Sequence, residues 1–183
     1  QLSASLERLK QGAALDTLTI AVSPAFAAKW LLPRIDRFQQ QCPDLSVRLD
    51  TNLKPVDFAI HKIDIGVRYG AGQWPGLTSV KLMAEQVYPV CSPELLQQLD
   101  EDYCEHFSLS DLIDQTLIDD LSMETHADFP TWEKWLQQAG VKNVTAKRRM
   151  QINNAAAVLQ AAMDGQGIAL ARSVMAQADI QSG

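Results

Sequence analysis

The chain has 183 residues, 46% of them apolar and 21% charged, with 16 basic and 22 acidic side chains for a formal net charge of −6. That mix buries a core unaided and excludes disordered, collagen-like and disulfide-scaffold classes. The longest basic run is Lys147-Arg148-Arg149, so the chain is a poor holder of nucleic-acid phosphates, and any DNA contact is expected from another part of the protein.

Leu2, Leu6 and Leu9 fall at helical spacing and read as the end of a helix arriving from a preceding segment. The chain opens on Gln1 with no initiator Met, and is expected to be a piece of a longer protein. Residues 17–22 are a β-branched strand. Ser23-Pro24 then caps and starts a helix over 25–41. Phe26, Trp30, Leu31, Ile35 and Phe38 share one face of it, and Pro33 is expected to kink or break it. Residues 46–51 alternate as a second strand, with Val47 and Leu49 inward. A short helix over 56–60 and a strand over 63–69 follow, then a glycine-punctuated loop over 70–76. The second half repeats the alternation. Strands are expected over 86–91, 115–119, 148–152 and 168–172. Helices are expected from Pro93 to Leu99, from Thr131 to a stop at Gly140, and from a cap at Asn153-Asn154 through 155–164 to Gly165. A helical turn is expected at 108–111, and a last short helix capped by Ser173. Alternating strands and helices predict an α/β fold with parallel sheets. Composition breaks weakly over 82–92, where a crossover strand would join two lobes.

Cys42, Cys91 and Cys104 are odd in number and scattered, which fits a reducing cytosol. No apolar run reaches membrane-spanning length, and the start lacks the pattern of a signal peptide, so a cytoplasmic location is expected. Gly70-x-Gly72 follows a strand, but Pro75 occupies the place of the third glycine, so the dinucleotide fingerprint fails. His61, His106 and His126 have no metal spacing, and no Gly-x-Ser-x-Gly elbow exists. Asp119 and Asp120, adjacent on a strand end, point to opposite faces and do not form an acid–base pair. No catalytic residue, metal or cofactor is expected. Cys91 sits on the crossover strand without a basic neighbour and reads as a structural thiol, with a redox switch as its alternative.

Two strand-to-helix junctions look like binding elements: Ser23-Pro24-Ala25-Phe26 in the first lobe, and Asn153-Asn154-Ala155 in the second. Each offers free backbone N–H groups at a helix start, and plain capping is the competing explanation. Facing each other across a cleft, they would suit a small carboxylate. Arg68 could add a charged contact, against a surface ion pair as its alternative, and Trp74 is either a cleft wall or a cover over a turn.

Residues 18–34, LTIAVSPAFAAKWLLPR, resemble the effector-binding domain of LysR-type transcriptional regulators. So do IDIGVRYG at 63–70 with WPGL at 74–77, VYPVCSP at 87–93, and the pattern AAxxGxGIALA at 161–171. Trp132, Trp135, Leu136, Ala139 and Gly140 are similar to the same group, nearest the glycine-cleavage-system activator and β-lactamase regulator subgroup. The resemblance implies a two-lobed periplasmic-binding-protein-like (type 2) α/β fold with crossover strands. Residues 1–15 would be the end of a linker helix, 16–86 lobe I and 87–183 lobe II. Family members continue past residue 183 with a returning strand and a final helix, so lobe I is expected to be incomplete. The implied function is ligand sensing, with a small metabolite (an amino acid or other carboxylate) bound between lobes to modulate DNA binding by an N-terminal winged helix-turn-helix. The implied effector site comprises Ser23, Pro24, Ala25, Phe26, Asp57, Arg68, Tyr69, Gly70, Trp74, Asn153, Asn154 and Ala155. The branch that senses cell-wall peptides tends to threonine at the place of Ala25 and Asp-Ser at Asn153-Asn154, and this chain has neither. A homodimer or homotetramer is implied, with Ala27, Ala28, Ala155, Ala156 and Ala157 small enough for close approach. No membrane partner is expected. A transporter's solute-binding protein, or a thiol redox sensor, is the alternative.

Overall fold

The computed structural model describes residues 17–103, 108–124, 129–141 and 145–182. The linker reading of 1–15, Cys104, His106 and His126 lie outside them. The chain divides into two compact units, residues 1–68 and 69–183.

In the first unit, β1 (Thr17–Val22), β2 (Ser46–Thr51) and β3 (Ile65–Val67) form a three-stranded parallel sheet in the order β2-β1-β3. The central strand is the apolar one: Leu18, Ile20, Ala21 and Val22 are buried. β3 is shorter than the expected 63–69, because its first paired turn is made by a side chain. Asp64 accepts the Thr19 N–H through Oδ2 at 2.8 Å, and its own N–H donates to the Thr19 carbonyl at 3.0 Å. Asp64→Ala should therefore cost about 1–3 kcal/mol by stranding the buried Thr19 amide. Urea unfolding of wild type and variant checks this.

β1 leads into helix α1, residues 24–41, where Pro33 neither kinks nor breaks the helix. An α-turn (Pro24–Phe26) widens into a π-helical turn (Ala27–Leu31) before an α-helix (Leu32–Gln41). The Leu32 N–H reaches back five residues to the Ala27 carbonyl. A proline ring collides with the carbonyl four residues before it in a regular helix, and the wider turn ends just ahead of Pro33. Phe26 stacks on Trp30 at 5.0 Å, and Arg34 lies over the Trp30 ring at 4.8 Å while donating to the Trp30 carbonyl at 3.0 Å. The helix expected over 56–60 runs instead as α2, Phe58–His61, because the Asp57 carboxylate accepts the Ile60 N–H at 3.0 Å and starts it.

The second unit holds a four-stranded sheet in the order β4-β7-β5-β6. Its strands are β4 (Val87–Val90), β5 (Thr116–Asp120), β6 (Arg148–Ile152) and β7 (Ile168–Arg172). β5, β6 and β7 are parallel, and β4 is antiparallel at the edge, where Pro89 is tolerated. Helices α3 (Pro93–Tyr103), α4 (Trp132–Gln138), α5 (Ala155–Met163) and α6 (Ser173–Ser182) complete it, with 3-10 turns at Leu109–Asp114 and Leu121–Met123. Leu117, Ile168 and Leu170 pack on one sheet face with Trp132 and Leu136, while Ile118 and Ala169 pack on the other with Val158, Ala161 and Ala162. Burial on both faces explains the continuous apolar run of β7. α5 ends in a Schellman turn: Gln166 N–H donates to the Ala161 carbonyl, Gly165 N–H to that of Ala162, and Gly165 takes φ +71°.

Segment 69–86, assigned by sequence to lobe I, groups with the second unit. Tyr69 packs on that unit's core, and Glu85 and Gln86 are tied to β7 and α6. Ser173 does not cap α6 with its hydroxyl. That hydroxyl accepts the Gln86 N–H at 3.0 Å, and the Ser173 N–H donates to the Gln86 carbonyl at 2.9 Å.

Candidate functional site

Both units repeat one topology. In the first, β1 is flanked by β2 and β3; in the second, β5 is flanked by β6 and β7. Connections leaving the carboxyl ends of β1 and β3, and of β5 and β7, diverge, and such switch points are where open α/β sheets bind ligands.

In the first unit the switch point is bordered by Ser23 and Arg68, both singled out from sequence. Ser23 is the extended N-cap residue of α1, and its side chain makes no capping bond. Ala25 is buried, and Phe26 is spent on stacking with Trp30. Arg68 does not form the surface ion pair considered for it. It donates to the carbonyls of Val67 at 2.9 Å and Lys54 at 3.4 Å, bracing the ends of β3 and the 52–54 turn. Burial pulls its pKa down and Asp50 opposes that. Asp57 is exposed and engaged in starting α2.

In the second unit, Asn154 caps α5: its Oδ1 accepts the Ala156 and Ala157 N–H groups at 2.9 and 3.2 Å. The side chain thus occupies the place where an anion would bind. Asn153 is exposed and Ala155 is buried. Both follow β6, the outer strand, rather than β5 or β7. The Trp74 ring lies over Gly70, 3.5 Å from where a Cβ would stand, and covers the loop. Ala27 and Ala155 are buried within the chain, whereas Ala28 and Ala157 are exposed.

The residues bordering the second switch point are Asp120, ending β5, and Arg172, ending β7. Sequence reasoning missed Arg172 and set Asp120 aside. Asp119 and Asp120 do diverge: Asp119 takes Arg149 through both oxygens at 2.5 and 2.8 Å, while Asp120 Oδ1 accepts the N–H and hydroxyl of Ser122 at 2.9 and 2.5 Å. Arg172 is 5% exposed. Its Nη1 lies 3.7 Å from Glu85 Oε2, its Nη2 donates to Met175 Sδ at 3.2 Å, and its Cζ sits 5.2 Å over the Tyr69 ring. Arg172 Nε and Glu85 Oε1 are buried without a hydrogen-bond partner. Burial pushes the Glu85 and Asp120 carboxyls up, against the opposing pull of Arg172. A small cavity lies here. Asp120 and Arg172 line it together with the apolar Phe129, Val158, Leu159 and Met175.

Cys91 is half-buried, and burial pushes its thiol pKa up, the opposite of a reactive thiolate. Among the described residues no cluster of metal-ligating side chains occurs, and no helix is long and apolar enough to cross a membrane.

The chain matches the family described as the LysR substrate binding domain over residues 11–183. It is 35% identical over 188 residues to the glycine cleavage system transcriptional activator of Escherichia coli (strain K12), covering 100% of this chain and 57% of that protein. It is 32% identical to the HTH-type transcriptional activator AmpR of Pseudomonas aeruginosa, covering 96% of this chain and 55% of that protein. The chain thus spans about half the length of the curated relatives it matches. The solved effector domain of AmpR from Pseudomonas aeruginosa superposes with a TM-score of 0.71 at 32% identity, covering 91% of this chain and 75% of that one. CrgA, a LysR-type regulator from Neisseria meningitidis, shares the fold with a TM-score of 0.74 at 16% identity, covering 100% of this chain and 60% of that one. The fold is the periplasmic-binding-protein-like (type 2) α/β fold expected from sequence.

Proposed function

Because the chain belongs to the LysR substrate-binding domain family, we propose that it is the effector-sensing part of a cytoplasmic transcriptional regulator, working as a homo-oligomer. A small metabolite, an amino acid or another carboxylate, binds at the strand ends of the units. Its unequal affinity for two arrangements of the protein changes how winged helix-turn-helix segments outside this sequence sit on DNA. A ligand with equal affinity for both would regulate nothing. The observation that carries this reading is the switch point repeated in both sheets of a chain from this family. The relatives are named as transcriptional activators, which favours regulation over solute transport. The raised thiol pKa of Cys91 weighs against redox control.

A thermal-shift screen tests it, with glycine, other amino acids, purines, small carboxylates and cell-wall peptides as probes. A true effector at a hundred times its dissociation constant should add about 2.7 kcal/mol of stability. A panel without a single stabilising compound would remove the metabolite-sensing reading and leave control by a protein partner.

A further inference from the structure

A buried guanidinium normally has its donors matched, since an unmatched one forfeits hydration without return. Arg172 departs from this rule. It lies 5% exposed at the carboxyl end of β7, with Nε unpartnered and its nearest carboxylate, Glu85, at 3.7 Å, beyond hydrogen-bonding distance. Glu85 leaves one oxygen equally unmatched. The cavity that Arg172 lines has a closed part of about 10 Å³, room for one water-sized group, and about 210 Å³ with its open mouth. Its wall carries one cation, Arg172, and one anion, Asp120, and is otherwise apolar. Apolar walls strengthen each charged contact made inside.

A pure anion would meet Asp120 there, and a pure cation would meet Arg172. A group carrying both signs close together satisfies the two walls. We propose that this cavity receives the head group of a small α-amino acid, its carboxylate accepting from Arg172 Nε and its ammonium donating to Asp120. The proposal rests on the effector-sensing reading and names the ligand class and two of its anchors. Asp120 keeps Oδ1 for Ser122 and offers its other oxygen. The ammonium would also favour the ionised form of Asp120, which burial opposes. Glu85 competes with the ligand for Arg172, so binding would loosen the link from β7 to the residue that precedes Gln86 and β4.

The test uses three probes on the 183-residue chain, at matched ionic strength: glycine, acetate and methylamine. Thermal shift should respond to glycine and not to acetate or methylamine at the same concentrations. Asp120→Asn preserves the oxygen that caps Ser122, so it should fold, and it should weaken glycine binding by about tenfold or more. Arg172→Lys should do the same, and Glu85→Gln, which removes the competing carboxylate, should tighten it. An acetate response equal to that of glycine, or an unchanged glycine response in Asp120→Asn, overturns the proposal. If another compound stabilises the chain and Asp120→Asn leaves its effect intact, the sensing reading stands and this site falls. If no compound stabilises the wild-type chain, both fall.

Discussion

Alanine at position 167 is expected to destabilise the second unit by about 3 kcal/mol or more, at the upper end of overpacking penalties. A Cβ on Gly167 would stand 2.3 Å from the Thr116 carbonyl oxygen and 3.0 Å from the Thr116 Cβ. The carbonyl is backbone at the start of β5, so no side-chain rotation relieves the overlap. Gly167 immediately precedes β7, whose Ile168 and Ala169 pair with Leu117 and Ile118. Relief would have to come from separating β5 and β7, the two central strands of the sheet. Chemical denaturation of Gly167→Ala should show a lower midpoint, with lost far-ultraviolet signal if the pairing fails. A variant as stable as wild type would mean that the strands approach less closely than described.

The second large effect is expected at Trp132. Its side chain is 2% exposed in the core beneath the sheet, and its Nε1–H donates to the Ile118 carbonyl at 3.0 Å. Trp132→Ala should cost about 3–5 kcal/mol, because the emptied space sits among Leu117, Leu136, Phe129 and Ile168, which cannot all close on it. Trp132→Phe keeps most of the apolar volume and strands the carbonyl, so it isolates the hydrogen bond at about 1 kcal/mol beyond the packing change. Denaturant titrations of the two variants separate the contributions. Trp135 is the control on the same helix. It meets Trp132 edge-on at 6.1 Å and donates to the Val87 carbonyl at 3.2 Å, so its loss should mainly loosen the edge strand.

Much of the fold is legible in sequence because the informative residues act locally. The bounds of β1, β2, β6 and β7 follow from alternation or continuous β-branched and apolar runs flanked by capping residues. The starts of α4 and α5 follow from Thr131 and Asn154, whose side chains bond the next turn as capping requires. What acts across the chain is not legible. Asp64 shortens β3 by bonding Thr19, forty-five residues away, and Ser173 is drawn to Gln86, eighty-seven residues away. The candidate site divides in the same way. Ser23 and Arg68 border the first switch point and carry a local signal, a cap before proline and a charge at a strand end. Arg172 carries none, since it reads as the last residue of an apolar strand. Its importance comes from strand order, which places β7 beside β5 although β6 lies between them in sequence. The same strand order moves Asn153-Asn154 away from the switch point and leaves Asn154 its capping role.

The π-helical turn of α1 also governs which changes of chain length the protein can absorb. A regular helix advances about 100° per residue, and the turn at 27–31 holds one residue more than the regular spiral needs. Deleting any one residue there would regularise the hydrogen bonding but rotate everything downstream by about 100°. Ile35 and Phe38, half-buried now, would swing outward, and the exposed Asp36 and Arg37 would turn toward the sheet. Point substitutions along this stretch leave the phase untouched, so a single-residue gap is the lesion to which α1 is most vulnerable.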